Sequence, residues 1–498
     1  MVIRKISYYR VIVSLCLFMF LLSPVFGDEI SAVSFDKELP ENNIVTIQPD
    51  SLRILHNPLT GWVLYASMGV DAADFWAQYD HMYIPELGHN VSVTDYAHTL
   101  YIRASWTDFN PQEDVYGWKI DSNLRAYIEG AYQRNMRLAF RVVVDSRDKR
   151  TEFTPQFVKD AGAKGFMNKG KWSPYSDDSV FQKYYTKFVK ALAKDFNDPS
   201  KVEFIDGFGL GKWGEYHTMI YSTGDDTPKK AVFDWVTDIY SQAFDKVPVV
   251  INYHRWIGAG KDWVDDEHFA ADSEEMLEEA IKKGYSLRHD AFGMTTYYGS
   301  WERRFAKKYR NICPIIMEGG WIVKSHSYWQ DPRGYRKDSH EDVRRGEFDD
   351  SKEAHVNMMD FRFGDTEFWF KDAFDLVRRF LREGGYRLYP SEISLPLEVS
   401  KKTTPTIKHC WNNMGWGYCP TNIPQWNQKY KVAFALLDSE TNEVRYTFVD
   451  TNTDLSKWIK GSPAEYVFEP DMSKVETGTY VWAVGLVDRS KIGRASCR

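Results

Sequence analysis

Short apolar runs alternate with longer stretches of helical period between residues 58 and 388. The stretches with helical period are 120–135, 179–196, 227–244, 272–284 and 366–385. Eight apolar runs have the length of buried strands: 61–67, 99–106, 137–145, 202–209, 247–254, 287–296, 313–318 and 355–361. Eight strands separated by helices predict an α/β fold, a closed (β/α)₈ barrel of the TIM type. The competing doubly wound sheet usually carries a glycine-rich nucleotide turn after its first strand, and GWVLYASMGV is not one.

The pattern changes at about residue 389. Runs such as YKVAFALLDS, EVRYTFVDT and GTYVWAVGLVD are short, alternate between apolar and polar positions, and are separated by turn-rich segments. This predicts a C-terminal antiparallel β-sandwich over 389–490. Residues 28–57 form an N-terminal extension before the barrel, and 491–498 have the composition of a cloning or read-through remnant.

Residues 1–27 have the pattern of a secretory signal peptide, with a basic start, an apolar core and small residues near Gly27. No second membrane segment follows, so we expect an exported protein that is periplasmic, attached to the cell surface or extracellular. Cleavage removes Arg4, Lys5 and Arg10 and changes the net charge from −7 to about −10. An acidic exported protein is a poor candidate for binding nucleic acid.

Composition adds two smaller points. Aromatic residues make up 16% of the chain, which mildly favours a protein that stacks on sugar rings. Cys410 and Cys419 have a spacing that suits a small disulfide-closed loop, although spacing alone leaves this pairing open. Cys313 lies in an apolar run and is expected to be a buried thiol. No cysteine–histidine group has zinc spacing, and no cofactor is predicted.

Two glutamates lie where a barrel carries its chemistry, at the C-terminal ends of strands. Glu215 follows the fourth strand, in the glycine-rich segment FGLGKWGEYHTM, and Glu318 ends the seventh strand in CPIIMEGGW. Strands four and seven face one another across an eight-stranded barrel, so the two carboxyl groups can flank one substrate. Such a pair suits glycosidic bond cleavage, with a separation of about 5 Å if configuration is retained and about 9 Å if it is inverted.

The chain resembles the large clan of (β/α)₈ retaining glycoside hydrolases, and in particular its beta-galactosidase-like members. The segment YIRASWTDFNPQEDVYGWKID, 101–121, is similar to the second-strand region of that clan. The resemblance implies that Glu215 is the acid/base, that Glu318 is the nucleophile, and that Arg103 pairs with the nucleophile. Two departures are the glycine before Glu215, where the clan usually has asparagine, and Asn110 in place of a glutamate before proline.

A closer resemblance covers most of the chain after residue 27. HNPLTGWVLY near the start, WGEYH in the middle, and Trp411, Asn413 and Gly415 near the end look like an uncharacterised, mostly bacterial secreted family, a domain of unknown function. This resemblance implies a barrel followed by a sandwich and does not imply a substrate.

Further side chains at strand ends are candidates for contact with a carbohydrate substrate. Arg141 and Asp145 on strand three either contact hydroxyls or pair with each other, and His217 either binds substrate or tunes the acid. In the clan, a tyrosine or histidine after strand six often touches the nucleophile. Five tryptophans after strands also predict at least one stacking platform. The complete set of candidates is Arg103, Trp106, Arg141, Asp145, Trp213, His217, Asn252, His254, Tyr297, Tyr298 and Trp321, with Trp256 and Trp301 as further rim tryptophans.

Three functions remain open from the sequence. The leading hypothesis is a secreted retaining glycoside hydrolase that acts on poly- or oligosaccharides without a metal. The second is a non-catalytic glycan-binding or surface-assembly protein on a barrel scaffold. The third is a metal-dependent hydrolase that uses His217, His254 and nearby carboxylates, although these histidines lack a recognisable metal-binding spacing.

Overall fold

The structure is a computed structural model that describes residues 42–66, 68–147, 151–261, 267–294, 297–322, 340–400 and 403–490. Before residue 42 it describes only the backbone of two short strands, at 12–15 and 18–19. The predicted tail at 491–498 and most of the predicted leader lie outside these residues. Among the described residues no helix combines the length and apolar character needed to cross a membrane.

The strands are β1 (Ile12–Leu15), β2 (Phe18–Met19), β3 (Asn42–Thr46), β4 (Gly61–Tyr65), β5 (Met82–Ile84), β6 (His89–Val91), β7 (Ala97–Ser105), β8 (Arg137–Val143), β9 (Gly165–Asn168), β10 (Lys171–Pro174), β11 (Val202–Asp206), β12 (Val249–Asn252), β13 (Tyr285–Phe292), β14 (Ile315–Gly319), β15 (Met358–Asp360), β16 (Leu388–Pro396), β17 (Ile407–Asn413), β18 (Tyr430–Asp438), β19 (Val444–Asp450), β20 (Ala464–Phe468) and β21 (Tyr480–Asp488). The helices are α1 (Ala72–Asp80), α2 (Trp106–Phe109), α3 (Gly117–Ile120), α4 (Ser122–Gln133), α5 (Gln156–Asp160), α6 (Ser179–Phe196), α7 (Lys229–Ala243), α8 (Glu267–Lys282), α9 (Ser300–Tyr309), α10 (His340–Glu353), α11 (Thr366–Asp372) and α12 (Phe374–Glu383).

Eight parallel strands close into a barrel, as the sequence predicts. In order around the barrel they are β4, β7, β8, β11, β12, β13, β14 and β15, and each overlaps one of the eight predicted runs. The predicted helix at 179–196 has the observed bounds of α6. The predicted helix at 366–385 is instead two helices, because the backbone leaves helical geometry at Ala373.

Alternate residues of the barrel strands belong to two different hydrophobic clusters. On β4, Trp62 and Leu64 pack with the surrounding helices, whereas Val63 belongs to a second cluster. On β14, Met317 joins the helix-facing cluster and Ile316 the second one. Because successive side chains of a strand point to opposite faces, this second cluster fills the inside of the barrel. Its barrel members form the lower layer of the interior: Val63, Tyr101, Ala139, Phe204, Val250, Ile316 and Met358.

Two further sheets, which are mainly antiparallel, are formed mostly by strands that follow the barrel. One has the order β20-β17-β16-β3, and in the other β18 pairs antiparallel with both β19 and β21, while β1 and β2 extend it beyond β21. We call these two sheets the sheet pair. Strand β3 lies in the predicted N-terminal extension, 28–57, so part of this extension belongs to the sheet pair. Buried residues of both sheets, including Trp411 and Phe434, belong to the same cluster as the lower layer of the barrel.

The sheet pair meets the barrel at the N-terminal ends of its strands. The Asn357 side chain, just before β15, donates hydrogen bonds to the carbonyls of Leu59 and Tyr418. The Asn422 side chain donates to the Ile312 carbonyl before β14, at 2.7 Å. These contacts leave the opposite end of the barrel, where the loops after the strands emerge, for a functional site.

Candidate active site

A layer of polar side chains lies directly above the apolar lower layer. On most barrel strands, the residue two positions after the apolar one is polar or charged and also faces inward. We call this set the upper layer: Tyr65, Arg103, Arg141, Asp206, Asn252, Arg288, Glu318 and Asp360. Buried charges must be paired to be tolerated, so the pairing within this layer determines what it can do.

Glu215 is carried over the mouth of the barrel by a loop with unusual backbone geometry. Gly209, Gly211, Trp213, Gly214 and Tyr216 all have φ between +63° and +80°. A side chain at Gly209 would place its Cβ 2.4 Å from the Val142 carbonyl oxygen, so only glycine fits there. Gly214 has φ +77°, and glycine and asparagine are the residues that adopt this conformation most readily. Two non-glycine residues in the left-handed region store strain, which is common at functional sites.

Two arginines hold the carboxyl group of Glu215, which is only 4% exposed. Nη1 of Arg141 on β8 donates a very short hydrogen bond to Oε1 of Glu215. Nη2 of Arg103 on β7 lies 3.8 Å from the same oxygen and donates to the Trp213 carbonyl at 2.8 Å. Both arginines also lie within electrostatic reach of Glu318. The two glutamates therefore share one cationic environment.

Asp290 on β13 is a second carboxyl group beside Glu215, and oxygen atoms of the two side chains lie within 4.8 Å of each other. Burial raises the pKa of Glu215 to about 7, and the charge of Asp290 adds to this effect despite the opposing effect of Arg141. Burial is the largest cause of this shift, and the second is Asp290, a residue that was not predicted from the sequence.

Glu318 is paired with a different arginine from the one predicted. Nη2 of Arg288 on β13 lies 2.5 Å from Oε2 of Glu318 and 3.0 Å from Oδ2 of Asp360. The expected partner, Arg103, lies on Glu215 instead. The prediction of an Arg103–Glu318 pair was therefore wrong, because strand six already supplies an arginine beside the seventh strand. Burial raises the pKa of Asp360, and the charge of Glu318 adds to this effect.

Asp206 at the end of β11 joins the two arginine groups. Its Oδ2 accepts from Nε of Arg141 at 2.6 Å and from the Tyr101 hydroxyl at 2.9 Å, and lies 3.4 Å from Nε of Arg288. An unbroken chain of ion pairs thus runs from Glu215 through Arg141, Asp206 and Arg288 to Glu318. Because every member is buried, moving one side chain disturbs its neighbours.

A wall of histidines and aromatic rings supports the Glu215 loop. Nε2 of His254 donates to the backbone carbonyl of Glu215 at 2.9 Å, and its Nδ1 accepts from the Trp256 amide at 3.1 Å. His217 stacks on His254 at 3.9 Å, and its Nε2 makes a very short contact with the Tyr297 hydroxyl. His217 and His254 are both completely buried. His254 thus supports the backbone of Glu215, and the contact of His217 and His254 with substrate stays a prediction.

Four other predicted residues fall in different places. Asp145 pairs with Arg147 at 2.5 Å rather than with Arg141, so the suggested pairing on strand three was wrong. Trp106 starts α2 and is completely buried among aromatic rings of the helix layer, so it is no sugar platform. Tyr298 stacks on Phe292, away from the upper layer. Among the described residues, the side-chain amide of Asn252 has no hydrogen-bond partner although it is buried, so it remains a candidate for binding substrate.

Two tryptophans remain at the rim of the barrel mouth. Trp213 is partly buried and packs edge-to-face on His217 at 5.7 Å, and Nζ of Lys212 lies 4.1 Å above its ring. Trp321 follows β14 three residues after Glu318 and is 59% exposed. The other two predicted rim tryptophans pack inward, Trp256 on Tyr297 and Trp301 on Phe305.

One group of side chains in the described part of the chain has spacing that a metal ion could use. Ligand atoms of Glu215, His217 and Asp290 all lie within 4.8 Å of one another. Arg141 already donates to Oε1 of Glu215, and Tyr297 contacts Nε2 of His217. A guanidinium group on a ligand oxygen opposes a second cation, so these residues fit a shared proton better than a divalent ion. Cys313, Cys410 and Cys419 are all free thiols, so the disulfide suggested between Cys410 and Cys419 is not formed.

Four residues of the site were not predicted from the sequence: Asp206, Arg288, Asp290 and Asp360. The period of two within each strand could have found three of them. Like Arg103, Arg141 and Glu318, the residues Asp206, Arg288 and Asp360 each stand two positions after a buried residue of the barrel interior. Asp290 stands one inward-facing position further along β13.

Comparisons with known proteins give only distant likenesses. No family model matches the sequence, and no curated protein matches it. Endo-glycoceramidase II from Rhodococcus sp. is 13% identical, with a TM-score of 0.40, over 85% of this chain and 100% of that chain. An exo-beta-1,4-mannosidase from Opitutaceae bacterium strain TAV5 is 12% identical, with a TM-score of 0.36, over 66% and 56% of the two chains. An endoglucanase from Pseudomonas stutzeri is 8% identical, with a TM-score of 0.37, over 65% and 94%. At these values the reactions of the three enzymes are not transferred to this chain.

Proposed function

We propose that this protein is a glycoside hydrolase that cleaves poly- or oligosaccharides with retention of configuration. Glu318 is the nucleophile and Glu215 is the general acid/base. One observation carries this proposal: Glu215, on the loop after strand four, and Glu318, at the end of strand seven, enter one arginine network in different surroundings. The pKa of Glu215 is raised to about 7, whereas Glu318 is ion-paired with Arg288 at 2.5 Å. A proton donor facing an ionised carboxylate is the arrangement that retaining hydrolysis requires.

The reaction follows from these two states. A carboxylate oxygen of Glu318 attacks the anomeric carbon and forms a glycosyl ester, while the bond between this carbon and the glycosidic oxygen breaks. The Glu215 proton passes to that oxygen, so the leaving sugar departs as an alcohol. Glu215, now ionised, then takes a proton from a water molecule whose oxygen attacks the anomeric carbon. This step releases the sugar, restores Glu318 as a carboxylate and restores the proton on Glu215.

Arginines keep the two carboxyl groups in these different states. Arg288 makes its shortest contact with Glu318, and a guanidinium at this distance favours the ionised form that a nucleophile needs. Arg141 and Arg103 stabilise the ionised form of Glu215, which exists only after its proton has left. Asn252 and Trp321 are the described candidates for binding a sugar hydroxyl and a sugar face. We place this activity outside the cytoplasm on the strength of the predicted signal peptide.

The test is a screen of the purified protein against oligosaccharides and aryl glycosides, with Glu318→Gln and Glu215→Ala alongside. We expect Glu318→Gln to be inactive on every substrate that the native protein cleaves. Glu215→Ala should still react with aryl glycosides whose leaving group needs no proton, and added azide should accelerate its turnover by replacing water. Proton NMR of the first product should show the anomeric configuration of the substrate. Near-normal activity of Glu318→Gln, or an inverted product, would refute the proposal.

The second candidate is a non-catalytic glycan-binding protein. One observation favours it: both glutamates already make ion pairs inside the protein. This candidate predicts that oligosaccharides bind in calorimetry without being cleaved, and that Glu318→Gln binds them as well as the native protein does.

A further inference from the structure

We propose that Asp290 is a positioning residue that shares one proton with Glu215 and so presents Glu215 to the substrate as an acid. This inference rests on the proposed function for its use in catalysis, but the shared proton itself does not depend on any substrate. No role for Asp290 follows from the sequence pattern, and the hydrolysis described above requires only the two glutamates.

The first support is the difference between Asp290 and the other carboxylates around it. Asp206, Glu318 and Asp360 each lie within 3.0 Å of an arginine nitrogen. Among the described residues, Asp290 makes no ion pair with arginine or lysine, and the histidine nitrogens near it are those of His217 at 3.9 Å and His289 at 3.8 Å. Burial lowers the pKa of His289 and so keeps this ring neutral. A carboxylate that is only 11% exposed and lacks a cation is costly, and a neighbouring carboxyl proton relieves that cost.

The second support is geometric. Asp290 stands on β13, one inward-facing position beyond Arg288, and this brings a carboxylate oxygen of Asp290 within 4.8 Å of one of Glu215. Its Oδ1 has no hydrogen-bond partner among the described residues. Two carboxylates cannot both ionise at this distance without strong repulsion, so one proton bridges them.

The other groups around Glu215 also influence whether its carboxyl group is protonated. Arg103 on β7 and Arg141 on β8 approach Oε1 and favour ionisation. His254, after β12, binds the backbone carbonyl and not the carboxyl group. The remaining neighbours are His217 on the same loop, Asp290 on β13 and Glu318 across the barrel mouth. Both Glu318 and Glu215 interact electrostatically with Arg141. Asp290 is thus the neighbour whose charge opposes the two arginines at the shortest range.

For catalysis, this arrangement means that Glu215 keeps its proton until the glycosidic oxygen accepts it. While Asp290 is ionised, its charge holds the proton on Glu215 against the pull of Arg141. When the proton passes to the glycosidic oxygen, the new Glu215 carboxylate is stabilised by both arginines. In the second half of the reaction, the Asp290 charge makes Glu215 a stronger base toward water.

Infrared titration tests the shared proton without any substrate. The carbonyl stretch of a protonated carboxylic acid is followed between pH 4 and pH 9 in the native protein and in Glu215→Gln, Asp290→Asn and Asp360→Asn. We expect a band that titrates at about pH 7 in the native protein and loses its Glu215 component in Glu215→Gln, while the buried carboxyl group of Asp360, whose pKa is also raised, keeps its own component. In Asp290→Asn the Glu215 component should titrate at least about one pH unit lower. Asp360→Asn is the matched control, because it removes another buried carboxyl group and should leave the Glu215 band in place.

The outcomes separate the two proposals. A Glu215 band at the native pH in Asp290→Asn would overturn the shared proton, as would specific binding of Mn²⁺ or Ca²⁺ that Asp290→Asn abolishes. If Asp290→Asn does not fold, Asp290→Ser removes the same charge and tests the same shift. In an active enzyme, the basic limb of the pH profile of kcat/KM must move with the band. A shifted band in a protein without glycosidase activity would support the shared proton and refute only the proposed function.

Discussion

The lower and upper layers of the barrel interior are built by the same strands and differ completely in chemistry. On β14, Ile316 lies in the apolar layer and Glu318, two residues later, in the charged one. On β11, Phe204 and Asp206 are related in the same way. The lower layer gains stability from burying apolar surface, whereas the upper layer holds charges that cost stability unless each has a partner. Substitutions in the lower layer should therefore mainly reduce stability, whereas substitutions in the upper layer should also reduce activity.

The sharpest test compares two neighbours on β14, Glu318→Gln and Ile316→Ala. We expect Glu318→Gln to fold and to lose at least about 10³-fold in kcat, because the amide cannot attack the anomeric carbon. We expect Ile316→Ala to lose about 2–5 kcal/mol of unfolding free energy because of the cavity it leaves. The kcat of its folded fraction should be unchanged. Chemical denaturation and single-substrate kinetics measure both, and a stable but inactive Ile316→Ala would break the distinction between the layers.

The next test removes the charge of Asp206, which joins Arg141 and Arg288 in the chain of ion pairs. Asp206→Asn should cost about 3–5 kcal/mol, because Arg141 and Arg288 lose the carboxylate that they share. It should also lower kcat, since both arginines hold glutamates of the site. Asp450→Asn is the control: it breaks a buried contact with His409 in the sheet pair and should destabilise without changing kcat. Equal kinetic effects of the two substitutions would show that the chain does not support the site.

The pH dependence of stability should also distinguish the layers. Burial raises the pKa of Glu215 in the folded protein to about 7, above its ordinary value of 4.5, so the folded protein keeps a proton that the unfolded chain releases. This stabilising effect is complete below about pH 4.5 and is lost as the pH rises to about 7, a change of roughly 3 kcal/mol. Asp360, whose pKa is also raised, acts in the same direction. Denaturation between pH 5 and pH 8 should show this loss, and Glu215→Gln should reduce it, whereas Ile316→Ala should not.

We expect the smallest kinetic effect from a substitution at the rim of the barrel mouth, above both layers. Trp321→Ala should raise KM by about 3- to 10-fold, with little change in kcat or stability, because an exposed ring contributes about 1 kcal/mol of stacking. Tyr83→Ala removes a similarly exposed ring on β5, away from the barrel mouth, and should change neither constant. An unchanged KM in Trp321→Ala would remove this ring from the substrate site.

The sequence predicts the strands well and the pairing between side chains poorly. All eight barrel strands and the positions of Glu215 and Glu318 follow from apolar runs and their ends, because buried parallel strands are continuous and apolar. Which arginine meets which glutamate depends on the register between strands, and local pattern does not contain it. The predicted Arg103–Glu318 pair was therefore wrong, and Arg288 was missed.

The tryptophans show a second reason why the sequence does not predict which side chains reach the site. Trp106 and Trp321 both follow a strand, so position alone gives them the same prediction. Trp106 begins a helix at once, and its ring turns into the helix layer, whereas Trp321 stays in an exposed segment. The direction of the chain after each strand decides the outcome, and this direction is set by tertiary packing rather than by the residue itself.

The single cluster that runs from the sheet pair into the lower layer limits how the chain can be shortened. A fragment cut at the predicted boundaries, 58–388, would leave Leu59, Met358 and their neighbours uncovered at the base of the barrel. It would also lose β3, which pairs with β16 and so ties the two ends of the chain to one sheet. Expression of the barrel alone should yield an aggregating protein, and libraries for directed evolution should therefore carry the full chain and vary only the loops at the opposite end.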